Sequence, residues 1–307
     1  NGAGAVTSSV ATVRVALSQT IMSAANLVVL RAGDGVQSLG NTGNSVYLDQ
    51  YTTTGDYVST MAVPDSGTAA LIINGSATAE GALSLSADGR YLTFVGYSTN
   101  RPASGNVSNF SPAQVPRAVG QVDAAGQYEI AAQTTTVYNG SFRSAVSDGA
   151  NNYGGAGANN GTYYLGNEST PANVQNSIAN TRVVNSFNGN LYFSTGSGTR
   201  GIHKFEGMPT SSASATLLVG TGGSSSPYGF AINADETVVY IADDSAIASG
   251  GGVQRWDKVD ETWVLSYRVG TNYNSGVRGL AVSFDGDHPV IYATTAETTG
   301  NRLIRIV

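Results

Sequence analysis

PYGFAINADETVVYIADD, residues 227–244, is the stretch that decides the fold of this chain of 307 residues. Apolar side chains stand at the alternate positions Tyr228, Phe230 and Ile232, a turn follows at Asn233, Ala234 and Asp235, and residues 238–242 are rich in Val and Tyr. A period of two favours β-strands, and a short polar interruption favours a tight turn between them. The stretch therefore predicts an antiparallel hairpin whose first strand opens with the pair Tyr228-Gly229.

The same opening, a polar or charged residue followed by a small or apolar one, recurs along the chain. The further copies are Glu80-Gly81, Arg143-Ser144, Arg182-Val183 and Arg278-Gly279. A repeat of roughly fifty residues, built from short strands and tight turns, is typical of a β-propeller. We predict an all-β fold, a six-bladed β-propeller with seven blades as the alternative. Since each blade packs on its neighbours and the ring closes, residues 1–307 are predicted to form a single domain.

The two ends of the chain decide how the ring closes. Period-two segments over 27–30, 46–51 and 57–63 give the first blade three strands, and the sixth blade, which begins at Arg278, lacks a fourth. Residues 12–17 (TVRVAL) also alternate. This terminal strand is predicted to close the ring as part of the last blade. The alternative makes it the inner strand of the first blade.

Two segments interrupt the repeat and are expected to form loops. Residues 98–115 are the largest insertion, and long loops on the face of a propeller often carry function. The Asn- and Gly-rich segment Asn151 to Gly161 makes the third blade the least regular and is expected to be loop rather than strand.

Composition excludes several classes of function. Charged residues make up 12% of the chain, the net charge is −6, and no basic cluster exists, so the electrostatic footprint of a nucleic-acid-binding protein is missing. No apolar run approaches the ~20 residues that span a bilayer. The absence of cysteine excludes thiol catalysis, disulfides and thiolate metal sites.

The composition also bears on location. Lysine is rare, and Ser, Thr, Asn and Gly are abundant, which leads us to expect a secreted or surface-displayed protein. Glycosylation sequons are present, although about as many arise by chance in a chain so rich in Asn, Ser and Thr. The acceptor positions are Asn74, Asn106, Asn109, Asn139, Asn160 and Asn167.

The hairpin over 227–244 resembles those of the NHL, gluconolactonase-like and strictosidine-synthase-like propellers, in which a polar-Gly pair opens the inner strand and a Tyr-Val-Ala-Asp-type strand follows. Residues 26–35, 77–81, 86–89 and 226–230 are similar to a propeller domain common in large secreted bacterial proteins. The resemblance covers nearly the whole chain. It implies a propeller fold and no particular activity.

The openings differ from those of the enzymes in these families. Gluconolactonase-like enzymes hold a divalent metal in the central channel with Asn, Asp and Glu side chains, and strictosidine-synthase-like enzymes use a channel Glu. Here only Glu80 stands at an equivalent place, and the usual disulfide of the second family is absent. We therefore expect no metal and no cofactor.

Five residues at the openings form the candidate site. Because the start of each inner strand faces the central channel at one rim, these side chains should converge; they are Glu80, Arg143, Arg182, Tyr228 and Arg278. Three guanidinium groups beside one carboxylate suit an anion, since arginine offers a planar fork to carboxylate, phosphate or sulfate. The alternative is structural: the side chains fill the channel and satisfy one another.

Three functions follow as hypotheses. The first is a non-catalytic module that binds a glycan, a polymer or a protein, with an anionic small molecule or glycan as ligand. The second is a hydrolase or lyase in which Glu80 is the acid or base and the arginines hold an anionic substrate. The third is an assembly subunit whose 25 N-terminal residues pair with a neighbouring sheet edge.

Some aromatic side chains are of a type that stacks on sugars, although most of them are expected to pack between blades. They are Tyr97, Tyr153, Tyr163, Tyr164, Trp256 and Trp263.

Overall fold

The computed structural model describes residues 20–156, 160–166, 171–270, 274–298 and 300–307. These residues form 22 β-strands in six antiparallel sheets arranged as the blades of a propeller. The helical element in this part of the chain is a single 3-10 turn, Ile247–Ser249. The six-bladed prediction is confirmed over the seven-bladed alternative.

Within each blade the strands follow one another in chain order. The first blade comprises β1 (Leu27–Ala32), β2 (Val46–Tyr51) and β3 (Tyr57–Ala62), and the second comprises β4 (Ser84–Leu85), β5 (Tyr91–Tyr97), β6 (Arg117–Asp123) and β7 (Tyr128–Thr134). The third comprises β8 (Phe142–Ser147), β9 (Asn152–Ala156), β10 (Thr162–Gly166) and β11 (Ala172–Gln175), and the fourth comprises β12 (Thr181–Phe187), β13 (Asn190–Thr195), β14 (Gly201–Lys204) and β15 (Thr216–Gly220). The fifth comprises β16 (Pro227–Ile232), β17 (Val238–Asp243), β18 (Gly252–Val259) and β19 (Thr262–Val269), and the sixth comprises β20 (Val277–Ser283), β21 (Val290–Thr295) and β22 (Leu303–Ile306).

The hairpin over 227–244 forms as predicted, with Ile232 opposite Val239. Its turn is held by Asn233, whose Oδ1 accepts the backbone N–H groups of Thr237 at 2.8 Å and Val238 at 2.9 Å. Asparagine favours turns for this reason, because its side chain replaces a backbone acceptor. The local sequence therefore specifies the connection between β16 and β17.

Apolar side chains between neighbouring blades form the core. Tyr153 of the third blade and Phe193 of the fourth lie in one such cluster, and Phe230 and Val239 of the fifth lie in the next. All four are almost completely buried. Burying a side chain of this size contributes about 1.5–3 kcal/mol, so the stability of the ring resides in the contacts between sheets.

The first and last blades differ from the other four. Asn44, just before β2, bridges Ile73, and the neighbouring Ile72 bridges Tyr97 at the end of β5. The second strand of a blade ends at the rim where inner strands begin, so these bridges place the start of β2 at that rim. A strand that starts there is the first or the third of its blade, and β2 has a neighbour on each side. The strands β1, β2 and β3 are therefore the second, third and fourth of their blade. The hydroxyl of Tyr292 in the last blade donates to the carbonyl of Thr53 in the first, at 3.3 Å. Residues 12–17, predicted to close the ring, lie outside the described residues.

The expectation of a loop over Asn151 to Gly161 is wrong for its first half, because β9 runs through Asn152–Ala156. A side chain added at Gly154 would lie 2.5 Å from the Tyr138 hydroxyl, and one at Gly155 would lie 2.5 Å from Val184. These glycines allow the neighbouring strands and side chains to approach closely. A glycine-rich strand looks like a loop in sequence because the reason for its composition is a tertiary contact.

Residues 98–115 do connect β5 to β6, and they have a small apolar core of their own. Val107 and Val115 are buried against Ile72 and Tyr97, and Phe110 packs beside them. The segment therefore covers the end of the second blade as a folded loop. No helix among the described residues has the length and apolar character needed to cross a membrane.

Candidate anion site at the rim of the inner strands

Four of the predicted site residues lie at β-bulges near the start of inner strands. The register of β8 shifts around Arg143, that of β12 around Arg182, that of β16 around Tyr228 and that of β20 around Arg278. A bulge turns a side chain out of the regular alternation of the ladder, and bulges are common next to functional sites. The repeat therefore places four chemically similar bulges at one rim of the ring.

Two of the arginines reach across to the next blade in the same way. Arg143 donates from Nη1 to Oδ1 of Asn180 at 2.6 Å, and Arg182 donates from Nη1 to Oγ of Ser226 at 2.7 Å. Asn180 stands two positions before Arg182, the bulge residue of its own blade, and Ser226 stands two positions before Tyr228. These acceptors were missed in the sequence analysis, although a polar residue at a constant spacing before each opening is a signal that could have found them.

Two guanidinium groups lie close to the ring of Tyr228. Cζ of Arg182 is 4.2 Å from the centre of the Tyr228 ring, and Cζ of Arg278 is 5.7 Å from it. Arg278 also donates from Nε to Asp244 at 3.1 Å. Cations over a ring face are attracted by its quadrupole, so Tyr228 holds two like charges close together that would otherwise repel. The structure thus brings Arg182, Tyr228 and Arg278 into one cluster.

Glu80 is enclosed by hydrogen-bond donors at the same rim. The Tyr97 hydroxyl donates to Oε1 at 2.7 Å, the backbone N–H of Asn74 donates to Oε2 at 3.2 Å, and Ser141 adds a further hydrogen bond. Burial raises the pKa of Glu80 to about 7, and the hydrogen bonds only partly offset this effect. The carboxyl group is therefore about half protonated near neutral pH.

Arg117 is a buried cation that the sequence analysis missed. Its guanidinium lies 4.8 Å from the centre of the Tyr97 ring and donates to carbonyl oxygens, among them that of Val115 at 2.6 Å and that of Tyr138 at 3.1 Å. Burial lowers the pKa of Arg117 from its usual value. Because it opens a third strand and not an inner one, the repeat gave no reason to single it out.

Arg143 is the least satisfied of the rim arginines. Its Nε is buried and has no hydrogen-bond partner among the described residues. Burial lowers the pKa of Arg143, and the nearby charge of Arg182 lowers it further, whereas Glu80 acts in the opposite direction. In the part of the chain that the structure describes, neither Arg143 nor Arg182 has a carboxylate within ion-pair distance, while Arg278 is paired with Asp244. The rim therefore carries an excess of positive charge on a protein of net charge −6.

The remaining polar candidates have structural surroundings. Asp243 is fully buried and accepts from Ser225 Oγ at 2.5 Å and Gln254 Nε2 at 3.0 Å. His203 stacks on Phe193 with its Nε2 3.0 Å from a carbonyl oxygen, and burial lowers its pKa. No group of three or more metal-binding side chains of His, Cys, Asp or Glu is found among the described residues.

The aromatic candidates for sugar stacking are mostly in the core. Tyr97 and Tyr153 are completely or almost completely buried, and Trp256 is 9% exposed. Their faces contact neighbouring side chains, as when Tyr153 packs against Tyr164 with ring centres 5.2 Å apart. Trp263 packs beside the cluster that joins the fourth and fifth blades.

No protein-family model matches the chain, and no curated protein sequence is similar to it. Solved structures are similar in fold. A putative 6-phosphogluconolactonase from Bacteroides fragilis has a TM-score of 0.50 and 14% identity over 92% of this chain and 78% of its own. The GH74 enzyme of Niastella koreensis has a TM-score of 0.52 and 16% identity over 84% of this chain and 42% of its own. A chain of a nidogen/laminin complex has a TM-score of 0.56 and 10% identity over 91% of this chain and 88% of its own.

Identities this low show the fold alone. The similar structures include a putative lactonase, a glycoside hydrolase and a chain from a protein–protein complex, which illustrates that one propeller fold serves unrelated functions. The distant resemblance to propellers is thus confirmed. Function has to be argued from the site.

Proposed function

We propose that the protein is a non-catalytic binding module that takes an anionic group at the rim of its inner strands. The observation that carries the proposal is the uncompensated charge of Arg143 and Arg182, together with the unpartnered Nε of Arg143. A carboxylate or sulfate beside these two guanidinium groups would offset their charge. We infer that the ligand is the acidic group of a glycan, a polymer or a partner protein.

The surroundings of Glu80 support binding over catalysis. Its carboxyl group is held by Tyr97, Asn74 and Ser141, and a general acid or base needs access to the proton it transfers. Hydrogen bonds from the arginines to the next blade also support a second, structural role for the rim. The two roles are compatible, because the hydrogen bonds of Arg143 to the next blade both come from Nη1.

The proposal is tested by titrating the protein with sulfate and with D-glucuronate. We expect saturable binding by calorimetry to wild type and at least about a tenfold loss of affinity in Arg143→Met, because an arginine fork to an anion is a strong, charge-assisted contact. Methionine keeps much of the length and apolar character of the side chain, which protects the packing.

Arg305→Met is the matched control, since Arg305 is exposed on the outer strand of the last blade. It removes the same charge from the molecule and should leave binding within about twofold of wild type. Equal losses in both variants would mean that net charge alone attracts the anion, and no binding by wild type would leave the rim arginines a purely structural role.

A hydrolase or lyase is the second candidate, and one observation favours it. A carboxyl group whose pKa is raised to about 7 suits proton transfer near neutral pH. Under this alternative Glu80→Gln would abolish turnover of an acidic substrate and preserve its binding. The non-catalytic proposal expects the same substitution to preserve binding, with no turnover in either protein.

A location outside the cell is also part of the proposal. It rests on the scarcity of lysine and the abundance of Ser, Thr and Asn. Among the sequons, Asn109 and Asn139 are exposed, whereas Asn74 is buried and donates to Ser108 at 2.6 Å. Glycopeptide mass spectrometry after expression through a eukaryotic secretory pathway should therefore find glycans at exposed sites and none at Asn74.

A further inference from the structure

A polar groove lies on the opposite rim, between the second and third blades. The groove has a volume of about 250 Å³ and lies between β7 and the turn that joins β8 to β9. Its lining includes Gln121, Glu129, Ala131, Gly149, Ala150 and Asn152. The volume is several times the ~30 Å³ share of one water molecule and slightly below the ~300 Å³ at which drug-sized pockets begin. It therefore suits an occupant the size of a single ring.

An unsatisfied side chain lies in the lining of this groove. Asn152 is 2% exposed, and its Oδ1 has no hydrogen-bond partner within the described chain. Buried side-chain amides in folded proteins are nearly always hydrogen-bonded, so an unpaired one that lines a groove indicates a ligand or ordered water. The larger cleft at residues 173–178 and 212–215 lacks this feature, because both amide atoms of its buried Gln175 are hydrogen-bonded.

The other polar groups define the chemistry of the occupant. Gln121 donates from Nε2 to Oε1 of Glu129 at 2.7 Å, which fixes an amide and a carboxylate side by side on one wall. Asp88 and Asp148 lie at or beside the turn that carries Gly149. Asp88 is paired with Arg90, whose Nη2 donates to the Gly149 carbonyl at 3.0 Å, so Glu129 and Asp148 are the carboxylates that disfavour an anion. Side-chain amides supply donors and acceptors together. A neutral group that bears several hydroxyls matches this set.

The apolar part of the groove fits the same occupant. Ala131 forms part of one wall, and Ala150 is exposed in the turn opposite. Small apolar side chains beside amides leave room for the C–H face of a saturated ring while its hydroxyls reach the polar atoms. We propose that this groove binds a single neutral sugar ring, with the amide of Asn152 and the Gln121–Glu129 pair contacting its hydroxyls.

The test uses ligand-observed saturation-transfer NMR on the whole protein with D-glucose, D-galactose, D-mannose and N-acetyl-D-glucosamine. We expect at least one of these sugars to bind with millimolar affinity, as is usual for a fragment-sized ligand. Ala150→Trp fills the groove and should weaken that binding at least about tenfold. Ala234→Trp is the matched control, because Ala234 is an exposed alanine in a turn of the fifth blade, and it should leave binding unchanged.

A second variant separates a ligand contact from a structural role. Asn152→Leu keeps the approximate shape and removes the unpaired amide, so sugar binding should be lost while the unfolding midpoint stays equal or rises. A large fall in the midpoint would overturn the proposal, because Asn152 would then hold the fold. It would also be overturned if no sugar binds, if Ala150→Trp binds as well as wild type, if methylammonium binds and the sugars do not, or if crystals soaked in sugar show only water at Asn152.

This inference does not depend on the anion site. Arg143→Met should weaken D-glucuronate binding at the first rim at least about tenfold and leave neutral-sugar binding unchanged, and Ala150→Trp should do the reverse. Failure of either proposal therefore leaves the other measurable.

Discussion

At the scale of single residues, Glu80 shows how the environment sets the charge of the rim. Burial moves the pKa of its carboxyl from the usual 4.5 to about 7, even though three donors surround it. The neighbouring Arg143 is also poorly solvated, and its burial disfavours the charged form of the guanidinium and lowers its pKa. The local balance of charge at this rim thus changes over the pH range in which proteins normally work.

The stability of the protein should depend on pH through Glu80. Since its pKa is higher in the folded state than in the unfolded chain, the stabilisation is complete below about pH 4.5 and is lost as pH rises towards 7. The loss is at most about 3 kcal/mol, because one pKa unit corresponds to 1.36 kcal/mol. Denaturant titrations at several pH values should show this slope in wild type and a flatter profile in Glu80→Gln. Identical profiles would show that Glu80 ionises alike in both states.

Anion binding should also depend on pH through the same group. As pH falls from 8 to 6, Glu80 takes up a proton and the rim becomes more positive, so affinity for sulfate should rise several-fold. Calorimetric titrations of Glu80→Gln should show little change over this interval, because its amide does not titrate. A rise of the same size in the variant would assign the effect to another group.

At the scale of elements, the bulges in the inner strands allow equivalent residues of the repeat to form one site. A regular strand would alternate the side chains at positions such as Arg143 and Ser144 between the two faces of the sheet. The register shift around Arg143 removes it from that alternation, and the same shift recurs around Arg182, Tyr228 and Arg278. Bulges therefore allow one repeated motif to direct several side chains to one rim.

The close approach of β16 and β20 gives a prediction at this scale. A Cβ at Gly229 would lie 2.7 Å from the carbonyl oxygen of Arg278 and 3.0 Å from the amide nitrogen of Leu280, so Gly229→Ala must push two inner strands apart. We expect a loss of about 1–3 kcal/mol in the free energy of unfolding. Gly223→Ala, in open space, is the control and should change it by less than about 0.5 kcal/mol in chemical denaturation. Equal effects would mean that the strands adjust freely.

At the scale of the whole molecule, the first and last blades decide how the ring holds together. Apolar clusters join each blade to the next from the first to the sixth within the described residues. The sixth and first blades are joined by the hydrogen bond from Tyr292 to Thr53. Near the N-terminal end of the described chain, Met22 is buried between the first two blades, and its backbone N–H binds the carbonyl of Ala124 at 3.0 Å.

Deletion of residues 1–25 should therefore lower the unfolding midpoint, because it removes the packing of Met22 and the hydrogen bond from Ser23 to Gln50. A buried methionine alone accounts for about 2–5 kcal/mol when truncated. Differential scanning calorimetry measures the midpoint, and light scattering on the same samples measures the oligomeric state. An unchanged midpoint with a loss of oligomers would contradict this prediction and favour the assembly-subunit hypothesis.

The sequence by itself determined the propeller architecture and the residues that open the inner strands. Alternation of period two, the Asn-centred turn at residues 233–235 and the recurrent opening residue are local signals, and they reflect short-range steric and hydrogen-bonding rules. A repeat also implies that equivalent positions meet around an axis. For these reasons the six blades and the cluster of Arg182, Tyr228 and Arg278 could be inferred without coordinates.

Only the tertiary structure decided what each side chain contacts. The burial of Glu80, the unpaired Nε of Arg143, the strand at Asn152–Ala156 and the groove lined by Asn152 all depend on atoms that are distant in sequence. Hydrogen-bond satisfaction and desolvation are properties of a complete environment, and a local pattern of residues carries no information about which groups surround it.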